Sequence, residues 1–318
     1  MILTWTPCDR PVWTDAVSAT IRHQHPLHAR AEKATGKRVR FFALMRGNQQ
    51  VGAAQIGLRH WPLWGDFAVL GRGPVWSEDL TTDTRAAALE ALLTRLKRDH
   101  RGVMAAPDPI DDRDPLEGGR WLPVVTATRV AELLLDAPLP ALRARMSGKF
   151  RNRLCRAEEA GLVVRHGPMP SEADHWLFAT EAAQRKARGY RGAGLDYTLA
   201  WIRAGGRKNA QLFTAEQDGV TVAAMLFMLH APGASYHIGW CNDEGRTAGA
   251  HPLLLWKAMG WLAAKGYEAI DMDVIDTETS PGLARFKLGA GARVVTLGAT
   301  RLWAPGTGLA ARLTRQAA

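Results

Sequence analysis

The order hairpin, strand, helix, strand occurs twice in this chain of 318 residues, and that recurrence constrains its fold more than any single motif. In the first half, 38–46 and 50–58 are apolar, β-prone runs around Gly47-Asn48, a turn pair suited to a hairpin. Asp66–Leu70 predicts a third strand, which runs into GRGPVW at 71–76. Asp79 or Thr82 is placed to cap a helix whose Ala- and Leu-rich body spans 86–97. A short strand at 103–106 and a Pro- and Asp-rich loop at 107–115 follow. In the second half, 211–216 and 220–230 flank Asp218-Gly219, the strongest kind of short hairpin signal. Then come a strand at 234–241, a long helix at 249–265 and an alternating strand at 269–276. A short helix at 282–288 and a strand at 293–302 complete the order. Between the halves, 139–160 predicts one basic helix closed by Gly161. Residues 171–204 read as helical, and 305–318 as a frayed tail or small helix. An internal duplication of one α/β unit accounts for the whole pattern.

Composition narrows the class. Hydrophobic residues are 47% and charged residues 23%, as in a globular chain with its own core. No apolar run approaches the roughly 18–20 residues of a membrane-spanning helix. The first residues carry no basic segment followed by an apolar one, so a cytoplasmic location without a secretory signal is expected. Cys8, Cys155 and Cys241 have no metal-type or CxxC spacing and read as reduced thiols. The net charge is +10, and only nine of the 41 cationic residues are Lys. Arginine's planar fork suits phosphate and carboxylate. An anionic partner follows: RNA, a nucleotide- or lipid-linked substrate, coenzyme A or a membrane surface. A bias toward Arg and Ala without any partner gives the same composition.

Several familiar motifs are missing. SGKF at 147–150 lacks the first glycine and the hydroxyl residue of a P-loop. GAGARV at 289–294 lacks the third glycine of a dinucleotide fingerprint. There is no GxSxG. His23, His25 and His28 have no acidic or thiol companions in sequence and read as a polar loop rather than a metal site. No metal and no tightly bound cofactor are expected.

The second-half order resembles that of the GNAT acyltransferase superfamily, and ordered segments along the chain resemble Fem-type aminoacyltransferases. These are GRGPVW (71–76), KFRNRLCRAEEAGLVV (149–164), ASYHIGW (234–240), GAHPLLLWKAMGWLAAKGY (249–267) and GLARFKLGAGA (282–292). The resemblance implies an α/β (α+β) fold of two tandem GNAT-like units, each a mixed central sheet flanked by helices. The units are expected at 1–138 and 139–318, the second led by the basic helix at 139–160. It implies acyl or aminoacyl transfer from aminoacyl-tRNA or an acyl-thioester to an amine of a peptidoglycan precursor or related cell-envelope acceptor. Nothing between 150 and 210 is long enough for the helical arm that many Fem cross-bridge enzymes carry. Acyl-CoA transfer to a small amine or sugar therefore stays open. So does an anion- or RNA-binding protein without activity, and so does peripheral membrane contact.

The resemblance also selects residues. The Phe286-Lys287 pair is expected to meet the donor's reactive end, with Lys287 stabilising the developing oxyanion. A lysine in the last turn of a helix is equally favoured by the macrodipole. Asp273, near the C-terminal end of its strand, is expected to accept a proton from the attacking amine. Asp271 reads as an exposed strand residue, and Asp276 is a second candidate for the proton acceptor, the alternative being a turn cap. Lys149, Arg151 and Arg156 are candidate phosphate contacts, the alternative being a solvated basic helix. Arg72, in a glycine-flanked turn, is a second anion candidate. Residues 246–251 (RTAGAH) match the first four places of a coenzyme A pyrophosphate loop but end in His. That makes Arg246 and Gly249 the donor-loop candidates. Tyr236 is expected to line the cleft, and Trp240 to pack in the core.

Overall fold

The computed structural model describes residues 2–9, 21–189 and 192–308. The chain divides into two compact units, Met1–Arg129 with Thr296–Ala318, and Val130–Val295.

The first unit begins with β1 (Leu3–Cys8) and α1 (Pro26–Ala34), followed by β2 (Arg38–Arg46), β3 (Gln49–Trp61), β4 (Gly65–Gly71) and β5 (Val75–Trp76). It continues through α2 (Thr82–Asp99), β6 (Gly102–Ala106) and β7 (Leu122–Val125). Thr81 caps α2 by accepting from Thr84 N, in place of the expected Asp79 or Thr82. Asp79 instead takes the Ser77 hydroxyl and Arg46. The buried stripe Leu89, Leu92, Leu93 and Leu96 sets α2 against the sheet with Leu44, Ile56 and Leu70. Trp5 on β1 joins that core and donates its indole N–H to Ala88 O.

The second unit opens with β8 (Arg129–Leu134), α3 (Leu139–Arg145), α4 (Gly148–Glu159) and β9 (Val163–Pro168), then α5 (Trp176–Arg188) and α6 (Leu195–Gly205). Next come β10 (Ala210–Gln217), β11 (Val220–His230), β12 (Gly233–Cys241), α7 (Asp243–Ala248) and α8 (Ala250–Ala264). It closes with β13 (Ala269–Val274), α9 (Pro281–Gly289) and β14 (Arg293–Thr296). The basic stretch expected as one helix is two, because Ser147 starts a new one by accepting from Phe150 N. Gly161 follows α4 with φ +70, as a C-terminal glycine should.

The last described strand, β15 (Thr300–Trp303), does not belong with the second unit's sheet. It lies between β6 and β7 in the first sheet, ordered β1-β2-β3-β4-β6-β15-β7. The expected division at 138/139 is therefore corrected twice. β8 carries the second unit back to residue 130, and the segment from Thr296 returns to the first. The single strand expected at 293–302 breaks at Leu297-Gly298, where Leu297 N bonds Thr128 O and Ala299 N bonds Asp114.

The second sheet is ordered β14-β8-β13-β12-β11-β10-β9. Its β11 is buried without interruption from Val222 to His230. Alternate residues explain why a polar face is missing: Met225, Phe227 and Leu229 join the core of α3, α4 and α8, while Ala224 and Leu226 join that of α5 and α6. The expected tail at 305–318 falls mostly outside the described residues.

Candidate active site

In the second unit two parallel strands part company. β12 and β13 pair only through Gly233↔Ala269, Ala234↔Ile270 and Ser235↔Asp271. β12 then continues to Cys241, bonded to β11 on its other edge. Its backbone groups beyond Ser235 face a wedge with no partner strand on the β13 side. Buried backbone groups need partners, so such a wedge is suited to an extended polar ligand. A bulge falls at His237, since Leu226 pairs Ile238 but Phe227 pairs Tyr236. The bulged imidazole meets Thr198 of α6 (Nε2···Oγ1 2.7 Å), and Gln184 of α5 donates to Gly239 O at 3.1 Å.

The other wall ends in an unusual turn. Asp273 holds φ +66, a left-handed conformation rare outside glycine. Its amide donates to Asp271 Oδ1 at 2.8 Å, and its own Oδ1 accepts from Val274 N at 2.7 Å. Both bonds hold the exposed carboxylate at the strand end. Asp276 is occupied by the next turn, where it accepts from Glu278 N and Thr279 N.

Lys287 is the main surprise. A helix-end lysine is expected in solvent, yet this one is 3% exposed. Its Nζ donates to Val274 O at 2.6 Å, at the end of β13. Burial lowers its pKa, while Asp273 and Asp271 act in the opposite direction. Beside it, Phe286 packs between Phe150 and His251, with ring centroids 5.6 and 6.0 Å away. His251 Nε2 lies 2.9 Å from Trp240 O, on the part of β12 that has left β13. The residue that departs from the donor-loop signature thus ties that loop to the wedge. The sequence marks His251 only as the residue that breaks the donor-loop signature, and neither it nor His237 as a site residue; a polar ring in the first turn of α8 was the available signal for the first.

Tyr236 is half-buried on β12, packed against Phe227 at 5.9 Å. A Cβ at Gly239 would lie 1.7 Å from its hydroxyl, so glycine there makes room for the tyrosine. Trp240 packs with Trp176 at 5.2 Å, beside the core of α5 and α6.

The cationic candidates divide into two groups. Lys149 and Arg156 are exposed on α4, as is Arg153. Lys149 directly precedes the Phe150 that touches Phe286. By contrast, the Arg151 guanidinium turns inward to Ala144 O and Met146 O, closing the end of α3. Arg246 bonds Asp243 and Cys241 O. Arg72 lies in the first unit, where its Nε donates to Asp108 at 2.6 Å. Arg151 and Arg72 support a helix end and a turn, whereas Arg246, although bonded, keeps 53% of its side chain exposed. Gly249 is needed for two reasons: its φ is +71, and a Cβ would lie 3.1 Å from Arg153 O where α8 starts against α4. His25, one of the three early histidines, caps α1 by accepting from Leu27 N, while His23 and His28 meet edge-on.

Residues 144–288 match the sequence profile of the acetyltransferase (GNAT) domain. That match covers most of the second unit, which has the strand and helix order of a GNAT acyltransferase domain. The match spans α4 through most of α9 and includes the whole parted strand pair. No curated protein matches the chain in sequence. Among solved structures, that of FemX is similar over 88% of this chain and 92% of its own, with a TM-score of 0.73 and 14% identity. A tandem GNAT protein from the clavulanic acid biosynthesis pathway aligns over 96% and 99%, with a TM-score of 0.51 and 12% identity. The C-terminal domain of a putative lysylphosphatidylglycerol synthetase from Agrobacterium fabrum aligns over 94% and 92%, with a TM-score of 0.53 and 14% identity. At these identities the likeness is one of fold: the chain has a Fem-like, tandem GNAT architecture. Among the described residues, no helix is long and apolar enough to cross a membrane.

Proposed function

We propose that the GNAT domain transfers an aminoacyl group from aminoacyl-tRNA to an amine of a peptidoglycan precursor or related cell-envelope acceptor. The observation that carries this reading is the buried Lys287 at the end of the parted strand pair, beside Phe286 and the Asp273 carboxylate. In this reading the donor's carbonyl sits in the wedge. A neutral acceptor amine attacks the carbonyl carbon, and the oxygen takes up negative charge. The Lys287 ammonium keeps N–H groups beyond the one given to Val274 O, and in a dry site such a donor stabilises the oxyanion by about 2.7–4 kcal/mol. Asp273 takes the amine's proton as the intermediate forms. Collapse of the intermediate breaks the ester bond and makes the amide, and the proton held by Asp273 passes to the departing ribose oxygen, which leaves as the tRNA hydroxyl.

The donor assignment rests on the loop before α8. Arg246, the residue a coenzyme A pyrophosphate would need, is engaged with Asp243 and Cys241 O, and His251 is tied to Trp240 O. The exposed Lys149, Arg153 and Arg156 offer instead a cationic face for polyanionic RNA or a diphosphate-linked acceptor. Phe286 and Tyr236 provide aromatic faces at the wedge. Acyl-CoA is the competing donor, favoured by four matching loop positions and the glycine-preceded start of α8.

Binding of charged tRNA and of acetyl-coenzyme A, each measured at two salt concentrations, separates the readings. The expected result is salt-sensitive binding of charged tRNA, weakened by Lys149→Ala and Arg156→Ala, with no thioester binding. Thioester binding in the low micromolar range without tRNA binding would replace the aminoacyl reading with an acyl-CoA one.

A further inference from the structure

The β3–β4 hairpin of the first unit ends in Trp61-Pro62-Leu63-Trp64, and nothing in the transfer chemistry uses it. Leu63 is 103% exposed and Trp64 70%, while Trp61 is 37% exposed. The turn is closed by Trp64 N donating to Trp61 O at 3.1 Å, so these apolar side chains are held at the tip of an ordered ladder. Trp61 braces its base, edge-on to Phe67 with ring centroids 4.5 Å apart. Pro62 occupies the first central position of the turn, and Leu63 the second with φ +73. Glycine or asparagine suits that conformation best. A leucine there buries nothing against its own chain, so neither backbone geometry nor core packing accounts for it.

The surroundings are cationic. Arg38 and Arg40 on β2 and Arg101 before β6 are exposed near the hairpin's base. Arg101 lies about 3.5 Å from where a Cβ of Gly65 would stand. The nearby acids already have partners: Asp66 bonds His60, Glu32 bonds Lys37 and Arg59, and Asp99 bonds Arg95 and Arg98. Indole rings favour the headgroup layer of a bilayer, and a leucine beyond them reaches the acyl boundary. Arginines behind the tip then face anionic headgroups.

We propose that this hairpin tip is a membrane-interface anchor, inserting Leu63 and Trp64 into an anionic lipid surface while Arg38, Arg40 and Arg101 contact its headgroups. The inference is independent of the donor, since it concerns a different unit and a different chemistry.

The test is co-sedimentation of the full chain with vesicles, comparing phosphatidylcholine alone with an equal mixture of phosphatidylcholine and phosphatidylglycerol. Binding should favour the mixed vesicles and weaken as salt is raised. Leu63→Asn with Trp64→Ser should reduce it by about ten- to a hundredfold, as expected for withdrawing two apolar side chains from lipid. Leu63→Asn alone, which suits the left-handed turn, should reduce binding in part with an unchanged melting temperature. Absence of vesicle binding at low salt would overturn the proposal, as would full binding by the double variant. Loss of self-association in the double variant, without an effect on vesicle binding, would assign the tip to a second copy of the chain and overturn it as well.

Discussion

Each unit contains a parallel pair of neighbouring strands, β4 with β6 and β12 with β13, and the two pairs are built in opposite ways. In the first unit β4 and β6 pair through five positions, from Phe67↔Gly102 to Gly71↔Ala106. The ladder then continues past the strands: Arg72 N bonds Ala106 O, Asp108 N bonds Gly73 O, and the Asp108 carboxylate takes both Arg72 Nε and Gly73 N. Gln24 adds bonds to Gly71 O and Arg72 O. In the second unit β12 and β13 separate after three pairs, and a buried lysine sits at the end of β13. One element order therefore yields a stitched seam and an open wedge. The difference lies in how far the parallel strands stay bonded, not in the order of elements.

The largest predicted difference between the units is acid sensitivity. Burial lowers the pKa of His25 and His28 to about 4, and that of His23 well below its usual value. These rings stay neutral in the folded first unit while the unfolded chain takes up protons below about pH 6.5. Their contribution to stability is thus complete above that pH and is lost as the pH falls toward 4. At pH 5 the loss should be about 2 kcal/mol for each of His25 and His28. In the second unit His175 shifts the same way, so acid weakens that unit as well. Hydrogen exchange at pH 7 and pH 5 reads each unit separately; equal loss of protection in both would break the comparison.

Lys287→Met comes next. Transfer should fall by about 10²–10³-fold, the size of losing an oxyanion donor. Stability should hold, because a buried ammonium is removed together with its hydrogen bond. Retained activity in a folded variant would remove Lys287 from the chemistry. Asp108→Ala should do the reverse. It unstitches the first unit's seam and withdraws a half-buried guanidinium's partner, costing about 2–3 kcal/mol, below the range for a fully buried pair. The chemical step measured at a permissive temperature should be unchanged. Gly249→Ala should have the smallest effect, about 1–2 kcal/mol, from a side chain forced into a left-handed conformation against Arg153 O. A thermal melt reads this directly, and the shift should appear in the second unit's transition.

Local signals served the hairpins well. At the second hairpin, Asp218 and Gly219 both hold positive φ, as the Asp-Gly pair suggests. The Arg246 contact was also within reach, since its partner Asp243 stands three residues earlier on the same short helix. Arg72 was not, because Asp108 lies 36 residues away. Lys287 shows the same limit in the other direction. Nothing within α9 distinguishes a solvent-facing lysine from one drawn under a strand-end carbonyl. The break at 297–298 depends on bonds to Thr128 and Asp114 that β-propensity does not encode. For Arg72 and for the break at 297–298 the deciding contacts are distant in sequence, whereas those of Arg151 and Arg246 lie within seven residues.

The return of β15 to the first sheet has a bearing on how the protein is made. During synthesis β6 and β7 leave the ribosome well before the strand that lies between them. The whole second unit must be translated first, a delay on the order of ten seconds at about 5–20 residues per second. Over that interval the facing edges of β6 and β7 are open to pairing with another nascent chain, while every strand of the GNAT unit has already been delivered.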